Sequence, residues 1–200
     1  MGKKKITILP MDFNKDKAEI AEWETRYAGS PEFESIQSFI LDDTVDGGLT
    51  SVIENNCEYY PIGDDEKKLA FVAKTDECEI VGWVLVYIFD LKTKNPQMYV
   101  QYFVVNPKYQ NQGYGTQIAK ELFLNSKKYI GFTPSCICSH IDVRNSASML
   151  LFSKFNFSFV PLKNCQFFQA QTTNAKMLGS SFENIVFDDP FDLNGSSFGE

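Results

Sequence analysis

"YVQYFVVNPKYQNQGYGTQIAKELF", residues Tyr99 to Phe123, sets a strand-like apolar run, a proline, several amides and two glycines directly before an amphipathic helix. Proline supplies no ladder donor and holds Asn106 to extended angles, so Val105-Asn106-Pro107 ends the strand. Helical spacing begins beyond Gly115, with Ile118, Ala119, Leu122 and Phe123 on one face, until Gly131 and Pro134 stop it. The glycines therefore stand where the helix begins. A glycine-containing turn at that place lets backbone N–H groups converge on an anion, helped by the helix dipole, and so suits a phosphate-bearing ligand. The alternative is a tight strand-to-helix turn that merely tolerates glycine. Two familiar phosphate motifs fail on spacing. No Gly-Lys-Ser/Thr follows, and Gly113-Tyr-Gly115-Thr-Gln-Ile lacks the third glycine of the dinucleotide fingerprint.

Outside this stretch, 200 residues with 44% apolar content fit one globular domain with a sizeable core. Net charge is −7 and only two of nineteen basic residues are arginine, which argues against a nucleic-acid partner. The five cysteines, Cys57, Cys78, Cys136, Cys138 and Cys165, are odd in number and irregularly spaced, with no cleavable apolar signal ahead of them. Free thiols in a reducing cytoplasm are expected. "MGKKKI" places Ile6 where a myristoylation signal needs Ser or Thr, so no lipid anchor is expected. The longest apolar run, Ile80 to Phe89, is ten residues, half the roughly 20 that span a bilayer as a helix. It reads as a buried strand, and no membrane association is expected.

Along the chain, Lys5 to Met11 reads as a first strand and Asn14 to Arg26 as a helix through Ala18, Ile20, Ala21 and Trp23. Between Gly29 and Glu66 the pattern is irregular. Pro31 and Glu32 open a helix running to Leu41, "DDTVDGG" breaks it, and a short apolar piece follows. Leu69 to Thr75 and Glu79 to Phe89, joined by the polar turn "DEC", form a β-hairpin, and Tyr99 to Val105 is the next strand. Strict alternation puts Tyr99, Gln101 and Phe103 on one face and Val100, Tyr102 and Val104 on the other.

The opening stretch resembles the pyrophosphate loop of the GNAT superfamily of acetyl-CoA-dependent N-acyltransferases, Gln/Arg-x-x-Gly-x-Gly/Ala after a strand ending Val-x-Pro. Here the matching residues are Val105-Asn-Pro107 and Gln110-Asn-Gln-Gly113-Tyr-Gly115. "NSASMLLFSKFNF", Asn145 to Phe157, is similar to that family's Asn-x-x-Ser/Ala-x-x-Leu-Tyr/Phe-x-Lys-x-Gly-Phe segment. Asn145 is a good N-cap there, and Asn156 replaces glycine as the left-handed helix stop. The resemblance runs from Lys5 to about Phe168 in element order and is specific from Tyr99 to Phe159.

It implies an α/β (α+β) GNAT-like acyl-CoA N-acyltransferase fold, with a central, mostly antiparallel sheet flanked by helices. The strand Tyr99 to Val105 would splay from a strand Ser135 to Val143, with pantetheine in the gap against the backbone of Phe103, Val104 and Val105. Backbone amides of Gln110, Asn111, Gln112, Gly113, Tyr114, Gly115 and Thr116 would hold the pyrophosphate. Asn145, Ser148 and Phe152 complete the coenzyme set, Asn145 at the pantetheine arm. The Phe103 N–H would serve as oxyanion donor, an interaction of about 3 kcal/mol in such sites. Many relatives carry a glutamate on the strand before the loop and a tyrosine in the second motif. This chain has no carboxylate on that strand and has Phe152 in place of the tyrosine. His140, on the strand facing the gap, is the candidate base, with a pKa near neutrality if a carboxylate offsets burial; Gln101 is a candidate water relay, and a structural strand histidine is the competing reading.

Cys136-x-Cys138-x-His140 makes a poor tetrahedral cage, so no metal is expected. Asp42, Asp43, Asp46, Asp64, Asp65 and Glu66 fall in the segment that forms the acceptor side of the cleft in the family; they suit a cationic amine or a solvated loop. Beyond Pro161, "CQFFQAQTT" reads as a closing strand. Residues 1–178 form the expected single domain and 179–200 a tail, docked through its phenylalanines or disordered. The expected function is transfer of acetyl from acetyl-CoA to a primary amine of a small molecule or protein, by a monomer or homodimer. The alternative is a non-catalytic acyl-CoA-binding regulatory module.

Overall fold

The computed structural model describes residues 5–38, 48–57, 65–142, 144–161 and 175–180. Its centre is a seven-stranded sheet in the order β1-β2-β3-β4-β5-β7-β6. The strands are β1 (Ile6–Pro10), β2 (Lys67–Thr75), β3 (Ile80–Phe89), β4 (Gln97–Val105), β5 (Cys136–Asp142), β6 (Phe157–Pro161) and β7 (Ala175–Ser180). All neighbours are antiparallel except β4 and β5, whose parallel pairing needs the crossover supplied by α4 (Tyr114–Leu124) and α5 (Ser126–Ile130).

One face of the sheet carries α1 (Phe13–Arg26), α2 (Pro31–Ile36) and α3 (Leu49–Cys57) over a core containing Trp23, Ile53, Trp83 and Leu85. The other carries α4 and α6 (Ser146–Ser153) over Val84, Met98, Ile118 and Phe152. Helix α1 begins where the Asp16 carboxylate accepts the Asp12 N–H at 2.8 Å, and Lys74 Nζ donates to the same carboxylate at 2.7 Å. That part-buried ion pair fastens α1 to β2.

Several expectations need adjustment. The short apolar piece after "DDTVDGG" is the nine-residue helix α3, because Leu49, Val52 and Ile53 recur at i, i+3 and i+4 and are all fully buried. The long helix starts at Tyr114, with Gly113 left-handed at φ 82°, and it breaks at Asn125 before α5 ends at left-handed Gly131. Strict alternation along β4 also fails. Val100 pairs with Val86 and Tyr102 with Leu85, leaving Gln101 as a bulge. Met98 and Val100 therefore share a face with Phe103 and Val105, while Tyr102 and Val104 lie on the opposite one. The helix expected to continue to Leu41, the closing strand "CQFFQAQTT" and the tail beyond Ser180 lie wholly or partly outside the described residues.

Candidate functional site

Among the described residues β4 and β5 pair at only three positions, Gln97↔Cys136, Met98↔Ile137 and Tyr99↔Cys138. Beyond them β5 keeps only its pairing with β7 on its other edge, and the edge of β4 is left open from about Val100 onward. Ser139 Oγ donates across the start of this splay to the Val100 carbonyl at 2.8 Å. Which groups face the opening follows from strand geometry. Asn106 N–H donates to Val81 O at 3.0 Å, toward β3, and successive N–H groups alternate edges. The N–H groups of Phe103 and Val105 therefore point away from β3, into the splay.

The chain next makes a short 3-10 turn, Pro107–Tyr109, capped by Asn106 Oδ1 accepting the Lys108 N–H at 3.0 Å. The Asn106 amide donates to Ile80 O at 2.9 Å, so a single buried side chain fixes both the end of β4 and the start of the turn. Asn111 (φ 58°) and Gly113 (φ 82°) are both left-handed, a backbone pattern that gathers N–H groups into a concave anion site at the start of α4. At Gly115 an added Cβ would stand 3.4 Å from Val105, 3.8 Å from Leu151 and 3.9 Å from Phe103. These are ordinary contact distances, so an alanine would also fit between α4 and the splay. Across the cleft, Asn145 caps α6 by accepting the Ser148 N–H at 3.0 Å, and Asn156 ends that region at φ 61°.

These elements enclose a cavity of about 520 Å³. Of the residues expected at the site, Phe103, Val104, Val105, Gln110, Asn111, Gly113, Gly115, Thr116, Asn145 and Ser148 line it. Gln101, Gln112, Tyr114, His140 and Phe152 do not. Tyr114 is buried against Tyr109, Gln112 donates back to Lys108 O at 2.7 Å, and Phe152 is core, its ring 5.0 Å from Phe157 and 6.2 Å from Phe103. Sequence reasoning missed Ser35 and Ile36, from the irregular segment, and Lys154 at the end of α6. The i, i+3, i+4 run Ala147, Leu150, Leu151 could have pointed to the α6 wall.

His140 sits on β5 two residues past the last pair with β4, and Tyr99 Oη lies 2.9 Å from its Nδ1. The balance expected between burial and a helping carboxylate goes to burial, which lowers the imidazole to about 4. Asp142 is instead held by Arg144, through contacts of 2.6 to 3.1 Å that keep its carboxyl low. Cys136, Cys138 and Cys78 are free thiols, and the hydrogen bond with Cys136 together with burial pushes Cys138 well up. Among the described residues no cluster of three metal-ligating side chains occurs, and no helix is long and apolar enough to cross a membrane.

Several solved structures of acetyltransferases share this fold. A spermidine N-acetyltransferase from Vibrio cholerae, in complex with CoA and spermine, is similar over 87% of this chain and 94% of its own, at 14% identity and a TM-score of 0.58. The ribosomal-protein-S18-alanine N-acetyltransferase from Escherichia coli is similar over 92% and 100%, at 14% identity and a TM-score of 0.56. A NatC complex bound to Gag peptide and CoA contains a chain similar over 88% and 98%, at 16% identity and a TM-score of 0.52. At these identities the likeness is one of fold. No curated protein sequence matches the chain. The model of the acetyltransferase (GNAT) family matches residues 31–157, from the first residue of α2 to the first of β6 and including both motifs, and the chain belongs to that family.

Proposed function

We propose that the protein transfers the acetyl group of acetyl-CoA to an amine by direct attack, with the splay and the 110–116 loop as the coenzyme site. The observation that carries this reading is the continuity of the unpaired β4 edge with the left-handed Asn111 and Gly113 turn. A pantetheine arm needs a strand-like edge of donors and acceptors, and a pyrophosphate needs convergent N–H groups at a helix start. The unpaired β4 edge and the Asn111–Gly113 turn suit these needs in that order along the chain. When bound, acetyl-CoA supplies an activated acyl group as a thioester.

The chain's own part is largely main chain. The Phe103 N–H, directed into the splay, is positioned as the donor for negative charge on the acyl oxygen. The amine nitrogen forms the new C–N bond, the C–S bond breaks, CoA leaves as a thiolate that water can protonate, and the amine gives up one proton. At a pKa of about 10.4 only about one alkylamine in 2,500 is neutral at pH 7, so that proton needs a path. The cavity lining contains no carboxylate and no histidine among the described residues. His140 is set back from it and held neutral, which makes it a weak base; water along the splay is the preferred route.

The same lack of a cavity carboxylate, with Phe152 locked in the core, favours a second reading as an acyl-CoA-binding module without turnover. Thiol release from acetyl-CoA with a panel of polyamines, aminoglycosides, amino acids and peptides separates the two. Amine-dependent release well above hydrolysis supports transfer. CoA binding with no release from any amine in the panel supports the module.

A further inference from the structure

The loop before α4 and the helix α2 are 78 positions apart, yet one side chain joins them. Gln110 Nε2 donates to Glu32 O at 3.1 Å and to Val105 O at 3.2 Å. The first carbonyl belongs to the opening turn of α2. The second ends β4, and it faces the splay together with the Val105 N–H, because the two groups of one strand residue share an edge. A primary amide nitrogen has two hydrogens, and here each has its own carbonyl. Ser35 and Ile36, one turn further along α2, line the same cavity as Gln110.

Helix α2 depends on such attachment. At six residues it is far below the length at which a helix holds in water on its own. Its local support is the Ser30 cap, which accepts the Phe33 N–H at 3.2 Å, and its packing is through buried Phe33 and Ile36. Gln110 adds a tie from the turn that would meet the coenzyme's phosphates.

We infer that Gln110 is a positioning residue that couples coenzyme occupancy of the 110–116 loop to the placement of α2, whose Ser35 and Ile36 line the cavity beside it. This rests on the coenzyme reading above. Settling the loop on a pyrophosphate fixes the Gln110 backbone, its amide holds Glu32 O in place, and Ser35 and Ile36 are carried with the helix. Thermodynamic reciprocity then makes anything that orders α2 tighten coenzyme binding.

Hydrogen exchange of the full chain with and without CoA tests the link. In the unaltered protein CoA should slow exchange at 111–117 and, by threefold or more, at 31–37. Gln110→Glu keeps the shape, removes the donors and sets an acceptor against two carbonyls. At CoA concentrations that protect 111–117 fully, this variant should show no slowing at 31–37, whereas Gln110→Arg, which keeps donors, should recover most of it. Gln110→Met removes the donors without adding charge and carries the same expectation if the glutamate variant does not fold. Wild-type slowing at 31–37 in either donor-less variant overturns the coupling, as does CoA binding by the unaltered chain that leaves 31–37 unchanged. Failure of the unaltered chain to bind CoA overturns the coenzyme reading itself.

Discussion

Tyr99 Oη and His140 Nδ1 are 2.9 Å apart, and the two rings meet edge to face with centroids separated by 5.4 Å. Burial pushes the phenol well above its ordinary range and lowers the imidazole to about 4, so both groups stay uncharged at neutral pH. In either tautomer Nδ1 is already engaged by the phenol. The pair therefore stabilises the sheet just below the splay and has a pH signature of its own.

His140 is lowered in the fold from about 6.5 in the unfolded chain, so between those values the unfolded state binds more protons. Its effect on stability is absent above about pH 6.5 and becomes a penalty as pH falls toward 4. Urea denaturation should show stability dropping by up to about 1.4 kcal/mol per pH unit in that window from this group alone. His140→Gln should flatten that limb relative to the unaltered protein. Equal slopes for the two proteins would mean that the imidazole protonates freely in the fold.

Gly113 sits at φ 82°, where a residue with a Cβ is strained by about 1–2 kcal/mol and a β-branched one by more. Gly113→Val should weaken CoA binding by at least about tenfold while far-UV circular dichroism stays native. Calorimetry decides the matter, since unchanged affinity in a folded variant removes the loop from the coenzyme site.

A Cβ on Gly82 would lie 2.6 Å from Ile118 Cδ1 and 3.0 Å from Val104 O. Ile118 is fully buried, so its side chain has no solvent to move into. Gly82→Val should lower stability by about 1–3 kcal/mol, read as a fall in Tm, by pushing α4 off the sheet. An unchanged Tm would show that α4 can shift at no cost.

Asn156 occupies a left-handed position at φ 61°. Asn156→Gly should be neutral or stabilising by up to about 1 kcal/mol, and Asn156→Val destabilising by about 1–2 kcal/mol. Thermal melts of the two variants in the reverse order would mean that the Asn side chain, and not its backbone angle, holds the turn.

Much of the site was readable because its chemistry is local. Asn145 as a cap, Asn156 as a stop and Pro107 as a strand terminator each depend on a few neighbouring residues, and each lies where the sequence puts it. The Gln101 bulge was not readable, since it exists only in register with Leu85 and Val86 on another strand. His140 illustrates a second limit. Its place on β5 was legible, but its charge depends on how deeply the sheet and Tyr99 enclose it, and no spacing rule carries that. Ser35 and Ile36 escaped notice because α2 is only six residues, too brief for periodicity to stand out. Residue by residue, the turn before α4 was thus more legible than the charge state of His140.

Only three residue pairs join β4 to β5, whereas β3 and β4 align over eight. Parallel pairing of strands separated by a helical crossover closes a long loop before it gains much contact, which makes it a slow step to form. The meander of β2, β3 and β4, linked by short connections, has no such delay. Loop-closure entropy accordingly favours zipping of the β2–β4 meander before the seam at Tyr99 and Cys138 closes. The cleft that the closing seam leaves behind is the cavity, so a chain stalled before this step would hold the β4 side of its site with no facing wall.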